Sequence, residues 1–384
     1  MANIYFDHNA TTALDNRVLE AMLPWMTNQA GNPTSRHVFG RSARDAVEHA
    51  RAQVAEACGA YTSQVVFTSC GTEANNFAVK GIAAIKSAAT ARQILTSAIE
   101  HPCVTRPAIA MQQHGYVSQK IVVDANGKVD LEKFKLQLKT PTGLVSVMLA
   151  NNETGVIQEL GTIADMARSA GAFMHTDAVQ ALGKIDLSFA DLNVNAMTIS
   201  SHKIHGPQGA AALVVDKKLD IQPLLHGGGQ EKGLRSGTEN VAAIVGFGAA
   251  CELAMSNRAN FATHTAALRN QLEQGLQALD VSIFGKQVAR IPNTSFFAID
   301  NIEGETLVMA LDRKGYAVAS GSACSSDSTE PSHVLLAMDI PADVARGAVR
   351  VSFGASNTAA QVANFLATLN NEIMRLKQLT AIAA

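Results

Sequence analysis

The sequence predicts an α/β fold, with a large domain built on a mostly parallel sheet and a second, smaller α+β domain. Three observations point there. Short apolar runs recur along the first 255 of the 384 residues. Helix-length stretches lie between several of them, which calls for crossover connections and parallel strands covered on both faces. After residue 255 that alternation stops, and helices and strands follow in a different pattern.

Taken in order, "QVVFTS" (64–69) reads as the first strand and Gly71 to Lys86 as the helix after it. "RQILTSA" (92–98) and "QKIVVD" (119–124) are the next two strands. "GLVSVMLA" (143–150), "AFMHTD" (172–177) and "NAMTIS" (195–200) continue the series, with helical "TIADMARSAG" (162–171) between two of them. "VAAIVGFGAACELAM" (241–255) is the longest apolar stretch; it is too short to span a bilayer and reads as a buried helix. A further helix covers Ala259 to Leu279, and strands lie at "TSFFAI" (294–299) and "GAVRVSFG" (347–354). A last helix runs from Ala359 to Leu379, and the helix around Arg269 is the expected join between the domains.

Hydrophobic residues make up 47% and charged residues 17%, with a formal net charge of −2. Those values describe a soluble globular chain of two-domain size, with no dedicated nucleic-acid or membrane surface. The start "MANIYFDHNATT" lacks a positive n-region and an apolar h-region, so no secretory signal is expected. Five cysteines without short spacing give neither a disulfide framework nor a zinc site, and no metal is expected. The expected location is cytoplasmic, where thiols stay reduced.

Lys203 stands just past the strand "NAMTIS", between His202 and His205 and ahead of Gly206 and Pro207. Ligands of open α/β sheets bind outside the carboxyl ends of strands. A lysine seated there suits pyridoxal 5′-phosphate chemistry, which needs a Schiff-base lysine and an acid facing the pyridine nitrogen. Asp177, directly after "FMHT", offers the acid, and Gln180 a hydrogen bond to the ring hydroxyl. Gly71 and Thr72 open a helix after a strand, where free N–H groups and the positive end of the dipole attract a phosphate. Ser200 and His202 can add donors, and His101, after another strand, can stack on the ring. Cys324 sits in "ASGSACSSDS", among small polar residues, an unusual seat for a thiol. Of the other cysteines, Cys58 and Cys251 fall on apolar helical faces and read as core. Cys70 and Cys103 adjoin the pocket and receive no catalytic role.

The ordered motifs "YFDHNATT", "GNPTSRH", "FTSCGTE", "EHPCV", "ANNETG", "HTDAVQ", "SSHKIHGP", "HGGGQEKGLRSGTEN", "SGSACSSDSTEPSHVL" and "VRVSFG" span nearly the whole chain. In them the sequence resembles the cysteine desulfurases of the NifS/IscS type, class V enzymes of the fold-type I pyridoxal-phosphate group. The resemblance implies a large domain with a mostly parallel seven-stranded sheet over 15–255. It implies a small domain made of 1–14 and 256–384, carrying the Cys324 loop, and a homodimer. It implies Lys203 as the Schiff-base lysine, with Asp177, Gln180, Asn152 and His101 on the ring. Gly71, Thr72, Ser200 and His202 would hold the phosphate, joined by Thr238 of the other subunit. Arg350 would clamp the substrate carboxylate together with Asn152, a task suited to a planar bidentate donor.

The implied reaction converts L-cysteine to L-alanine, with Lys203 as base, His101 as a proton donor or acceptor, and Cys324 as the nucleophile that becomes a persulfide. "SGSAC" well ahead of "EPSHV" resembles the longer-looped group I enzymes. The implied acceptors are an iron–sulfur scaffold protein of the NifU/IscU kind or another sulfur carrier. A selenocysteine lyase on the same scaffold is the alternative; it would not need Cys324, and neither would a class V aminotransferase. A binding platform within a sulfur-transfer complex would not need Lys203, Asp177 and His101. Three features depart from the family pattern. Gln208 stands where a lysine is common, "ASNT" follows "VSFG", and "LKQLTAIAA" is shorter than the tail that engages a scaffold protein in IscS-type enzymes.

Overall fold

The computed structural model describes residues 3–85, 90–279, 281–321 and 330–383, with side chains as far as residue 378. The chain enters on β1 (Ile4–Tyr5), α1 (Asn16–Thr27) and α2 (Val38–Ala57). Then come β2 (Val65–Thr68), α3 (Gly71–Ala83), β3 (Gln93–Ser97), α4 (Pro102–Ala110), β4 (Val117–Ile121), α5 (Leu131–Gln137), β5 (Thr142–Ser146) and α6 (Leu160–Ser169). β6 (Phe173–Asp177), β7 (Ala196–Ser200) and β8 (Ala211–Val215) complete a seven-stranded sheet of order β2-β8-β7-β6-β5-β3-β4. Only β8 runs against its neighbours; the other six strands are mutually parallel.

Both faces of this sheet are covered, which is why its strands are apolar runs rather than alternations. On β5, Leu144 packs with Phe77, Ile82 and Leu213 on one face, and its neighbour Val145 with Phe67, Met197 and Phe247 on the other. β8 is the strand that the sequence reading did not single out. Its residues "AALVV" follow the glycine-rich turn after Lys203 directly, with no helix between, so the connection is a hairpin return rather than a crossover.

The second unit follows α7 (Val241–Leu276). Its β9 (Val281–Ile283), β10 (Thr294–Ile299), α8 (Gly304–Asp312), β11 (Tyr316–Ala317), β12 (Ala319–Ser320), α9 (His333–Ala337), α10 (Ala342–Arg346), β13 (Ala348–Ser352) and α11 (Ala359–Ala383) include an antiparallel sheet of order β12-β13-β10-β9. The N-terminus joins it: β1 pairs with β11, Asp7 bridges to Ser352, and Phe6 packs with Phe353 and Phe365.

The sequence reading ends one helix at Met255 and opens another at Ala259; α7 runs through both as 36 residues, about 54 Å. Ser256, Asn257 and Arg258 between them include no glycine or proline to break it, and Arg258 pairs with Asp186. Its first half, through Phe247 and Cys251, belongs to the large core. Its last turns, through Leu268, Leu272 and Leu276, belong to the core around Phe297 and Val351. Among the described residues no helix is long and apolar enough to cross a membrane.

Candidate active site

The parallel strands β2, β3, β6 and β7 end at the same edge of the sheet, and a cleft of about 490 Å³ lies against those ends. Gly71 and Thr72 reach it after β2, His101 after β3, Asp177 at the end of β6, Ser200 at the end of β7, and His202 and Lys203 after it. Gln180, Asn152 and Arg350 line the same cleft, the last brought by β13 of the second unit. One space thus collects residues from Asp7 to Arg350.

Local geometry explains each seat. Past β7, Ser201–Lys203 form a single 3-10 turn, and His205 takes a positive φ of 64°. Gly206 follows because a Cβ there would sit 2.9 Å from Ala250 Cβ and 3.0 Å from the Ser201 carbonyl oxygen. The N-terminal segment latches this turn: Thr12 donates its N–H and hydroxyl to the His202 carbonyl, at 3.0 and 2.9 Å. Lys203 Nζ donates to the carbonyls of Asn9 (2.7 Å) and Ala10 (2.6 Å).

Asp177 is fixed from two sides. Its Oδ1 accepts from the Val179 N–H (2.9 Å), and its Oδ2 from Asn75 Nδ2 (2.7 Å). Gln180 donates through Nε2 to the Asn9 carbonyl (2.9 Å) and accepts at Oε1 from the buried Lys184 (2.6 Å). Burial and the nearby charges of Lys203 and Arg350 hold the Lys184 ammonium far below the usual lysine range. Arg350 donates to Asp7 Oδ1 (2.6 Å) and to the Asn152 carbonyl (3.0 Å), while its Nε is buried without a partner among the described residues. His101 caps α4, accepting the Cys103 N–H at Nδ1. Burial lowers its pKa, and that of His202 falls to about 4 through burial and the charge of Lys203.

The donor set fits an anionic ring cofactor. The Ser200 hydroxyl is buried without a partner among the described residues and lines the cleft beside the N-terminus of α3, a 13-residue helix whose first N–H groups attract an anion. Asp177 supplies a fixed negative charge and Lys203 an amine. Thr238 stands exposed and does not line this cleft, and Cys324 lies outside the described residues. Cys58 and Cys251 are fully buried, and burial pushes the Cys58 thiol up to about 12.

Asp7, Asn9, Asn75 and Cys103 also line the cleft, and Lys184 stands behind it; sequence reasoning assigned them no part. Asn75 carried a usable signal, since it lies three residues after Thr72 on the first turns of α3 and so shares its face.

The aminotransferase class-V family model matches residues 4–365. The chain is 41% identical over 382 residues to the cysteine desulfurase of Trichormus azollae, covering 99% of this chain and 95% of that one. It is 40% identical over 365 residues to the cysteine desulfurase NifS of Azotobacter vinelandii, covering 94% and 90%. A solved NifS-like protein superposes with a TM-score of 0.91 at 37% identity, covering 97% of this chain and 99% of that one.

Proposed function

The chain belongs to the class-V aminotransferase family, among its pyridoxal-phosphate-dependent cysteine desulfurases, and from that premise we propose how its own residues carry the reaction and where the sulfur goes. The observation that supports the assignment best is the convergence of Lys203, Asp177, Gln180, His101 and Arg350 on one cleft.

Lys203 holds pyridoxal 5′-phosphate, with the phosphate at Gly71, Thr72, Ser200 and His202. When bound, the cofactor supplies a ring that accepts the electron pair left by the α-proton. Asp177 keeps the ring nitrogen protonated, and Gln180, locked by Lys184 and Asn9, presents its amide to the ring hydroxyl. Arg350, already oriented by Asp7, receives the carboxylate of L-cysteine, with Asn152 beside it. Lys203 Nζ takes the α-proton, its position making it the nearest amine.

Cys324 attacks the substrate sulfur as thiolate. An S–S bond forms, the substrate Cβ–S bond breaks, and its electron pair stays with the carbon fragment, which is protonated to alanine. L-cysteine and one enzyme thiol thus yield L-alanine and one enzyme persulfide. The role of Cys324 rests on the sequence motif around it. The working unit is a homodimer in the cytoplasm, in which Thr238 reaches the partner's phosphate site. The sulfur passes to a scaffold or carrier protein for iron–sulfur or other sulfur-cofactor synthesis.

The test is to incubate protein with L-cysteine and a reductant, and to quantify alanine and sulfide. Wild type releases both in equal amounts; Lys203→Ala and Cys324→Ser release neither, while Cys324→Ser keeps the visible band of the bound cofactor. Full activity of Cys324→Ser on cysteine would overturn the persulfide route.

A further inference from the structure

Hydrogen bonds run in sequence from the acid of the site to its histidine. Asn75, fully buried on α3, directs Nδ2 to Asp177 Oδ2 (2.7 Å) and to Cys103 Sγ (3.0 Å). Cys103 Sγ lies 2.9 Å from His101 Nδ1, and the Cys103 backbone N–H donates to that same nitrogen at 3.2 Å. The directions can be assigned. A carboxylate only accepts, so the Asn75 amino group faces Asp177, and its second hydrogen goes to the sulfur. Nδ1 already accepts a backbone N–H, and a hydrogen on it would face that donor. Nδ1 is therefore the lone-pair nitrogen, and the thiol hydrogen points to it. The thiol stays protonated, because burial and the charge of Asp177 push it up, and burial keeps the imidazole neutral.

We propose that the chain Asp177–Asn75–Cys103–His101 fixes His101 as the tautomer with its hydrogen on Nε2, which makes Cys103 and Asn75 positioning residues of the site. The consequence for catalysis rests on the desulfurase reading. His101 can donate a hydrogen bond from Nε2 but has no lone pair there to take a proton. Removal of the α-proton then falls to Lys203 alone.

The charged and titratable groups that bear on His101 are Asp177, Lys203, His333 and Arg106, besides Cys103 itself. Replacing Cys103 leaves all of these in place. A donor to Nδ1 favours the neutral ring, so its loss raises the titration midpoint of His101. One neutral hydrogen bond corresponds to a shift of about half a unit to one unit.

The experiment uses cofactor-loaded protein with ¹⁵N-labelled histidine rings, the His101 signals being identified by their absence in His101→Gln. Wild type gives a pyridine-type signal at Nδ1 and a pyrrole-type signal at Nε2. Cys103→Ala, which keeps the backbone N–H on Nδ1, keeps that pattern but shows the upward shift, and Cys103→Ser, which keeps a side-chain donor, restores the midpoint. A pyrrole-type Nδ1 in wild type overturns the proposal without any variant, and so does an unmoved midpoint in Cys103→Ala. Alanine release by the same wild-type sample separates the two ideas. Its absence beside the expected spectrum sinks the desulfurase reading and leaves the tautomer standing.

Discussion

At the scale of single residues, the groups easiest to read from sequence are those whose chemistry is scarce and whose place is local. Lys203, Asp177 and Thr72 each lie at or shortly after a strand end, and a lysine, an acid and an anion-binding helix start announce their roles. Asn9 announces nothing, because an amide in a loop is ordinary and its partners lie far away in the chain; Asn75 shows only through its helical spacing from Thr72. Glu100 is another such residue, and it carries a prediction. It is fully buried, its Oε1 accepts from Ser97 Oγ and the Met148 N–H, and its Oε2 has no partner among the described residues. Burial raises its pKa from 4.5 to about 8, with the charge of Asp177 adding to the rise. The folded state therefore keeps a proton that the unfolded chain sheds above about 4.5. That contribution to stability is whole below the unfolded value and disappears as pH rises through about 8. Glu100→Gln never ionises, so its stability relative to wild type should climb between pH 5 and 9, by at most ~1.4 kcal/mol per unit. Urea unfolding at several pH values checks this; parallel curves for the two proteins would mean that Glu100 is ionised in the fold.

At the scale of elements, the strands of the large sheet were legible because burial on both faces makes them apolar-rich runs rather than alternations. The continuity of α7 was not, since the polar stretch Ser256, Asn257 and Arg258 separates an apolar first half in the large core from a second half in the other core. What brings that helix close to its neighbours is glycine. A Cβ on Gly248 would lie 2.8 Å from Ala50 Cα on α2, and one on Gly246 would lie 2.9 Å from Pro207 Cγ. Gly161, near the start of α6, has open space around the same position. The same substitution should therefore have opposite signs at two helical sites. Gly161→Ala gains helix propensity alone and should stabilise by up to ~1 kcal/mol. Gly248→Ala gains that too but must push the α2 backbone away, an overpacking cost of about 1–3 kcal/mol, so it should be a net loss. Denaturant midpoints decide it, and a shift of both variants in the same direction would refute the account.

At the scale of the molecule, one small residue hydrogen-bonds to both units. Asn9, 1% exposed, donates its N–H to Ser352 Oγ (3.0 Å) and its Nδ2 to Thr294 Oγ1 (2.8 Å) and the Asn152 carbonyl (3.1 Å). Its Oδ1 accepts from Lys184 (3.0 Å) and Asn293 (3.2 Å), and its carbonyl from Gln180 and Lys203. Ser352, Thr294 and Asn293 belong to the second unit, while Asn152, Gln180, Lys184 and Lys203 belong to the first. The N-terminal segment thus links the sheet that holds the lysine to the sheet that holds Arg350. Asn9→Ala removes four of these bonds and leaves the buried Lys184 ammonium with Gln180 Oε1 as its remaining acceptor from this network. At about 1–3 kcal/mol for each buried polar group deprived of a partner, the loss should reach several kcal/mol. Its form matters more than its size. Because the lost bonds cross between two cores, the two units should melt less cooperatively, and the calorimetric enthalpy should exceed the van't Hoff enthalpy where wild type gives a ratio near one. A variant that still melted in one transition, with less than about 1 kcal/mol lost, would show that the two cores are held together elsewhere, along α7 and through the Arg350–Asp7 pair.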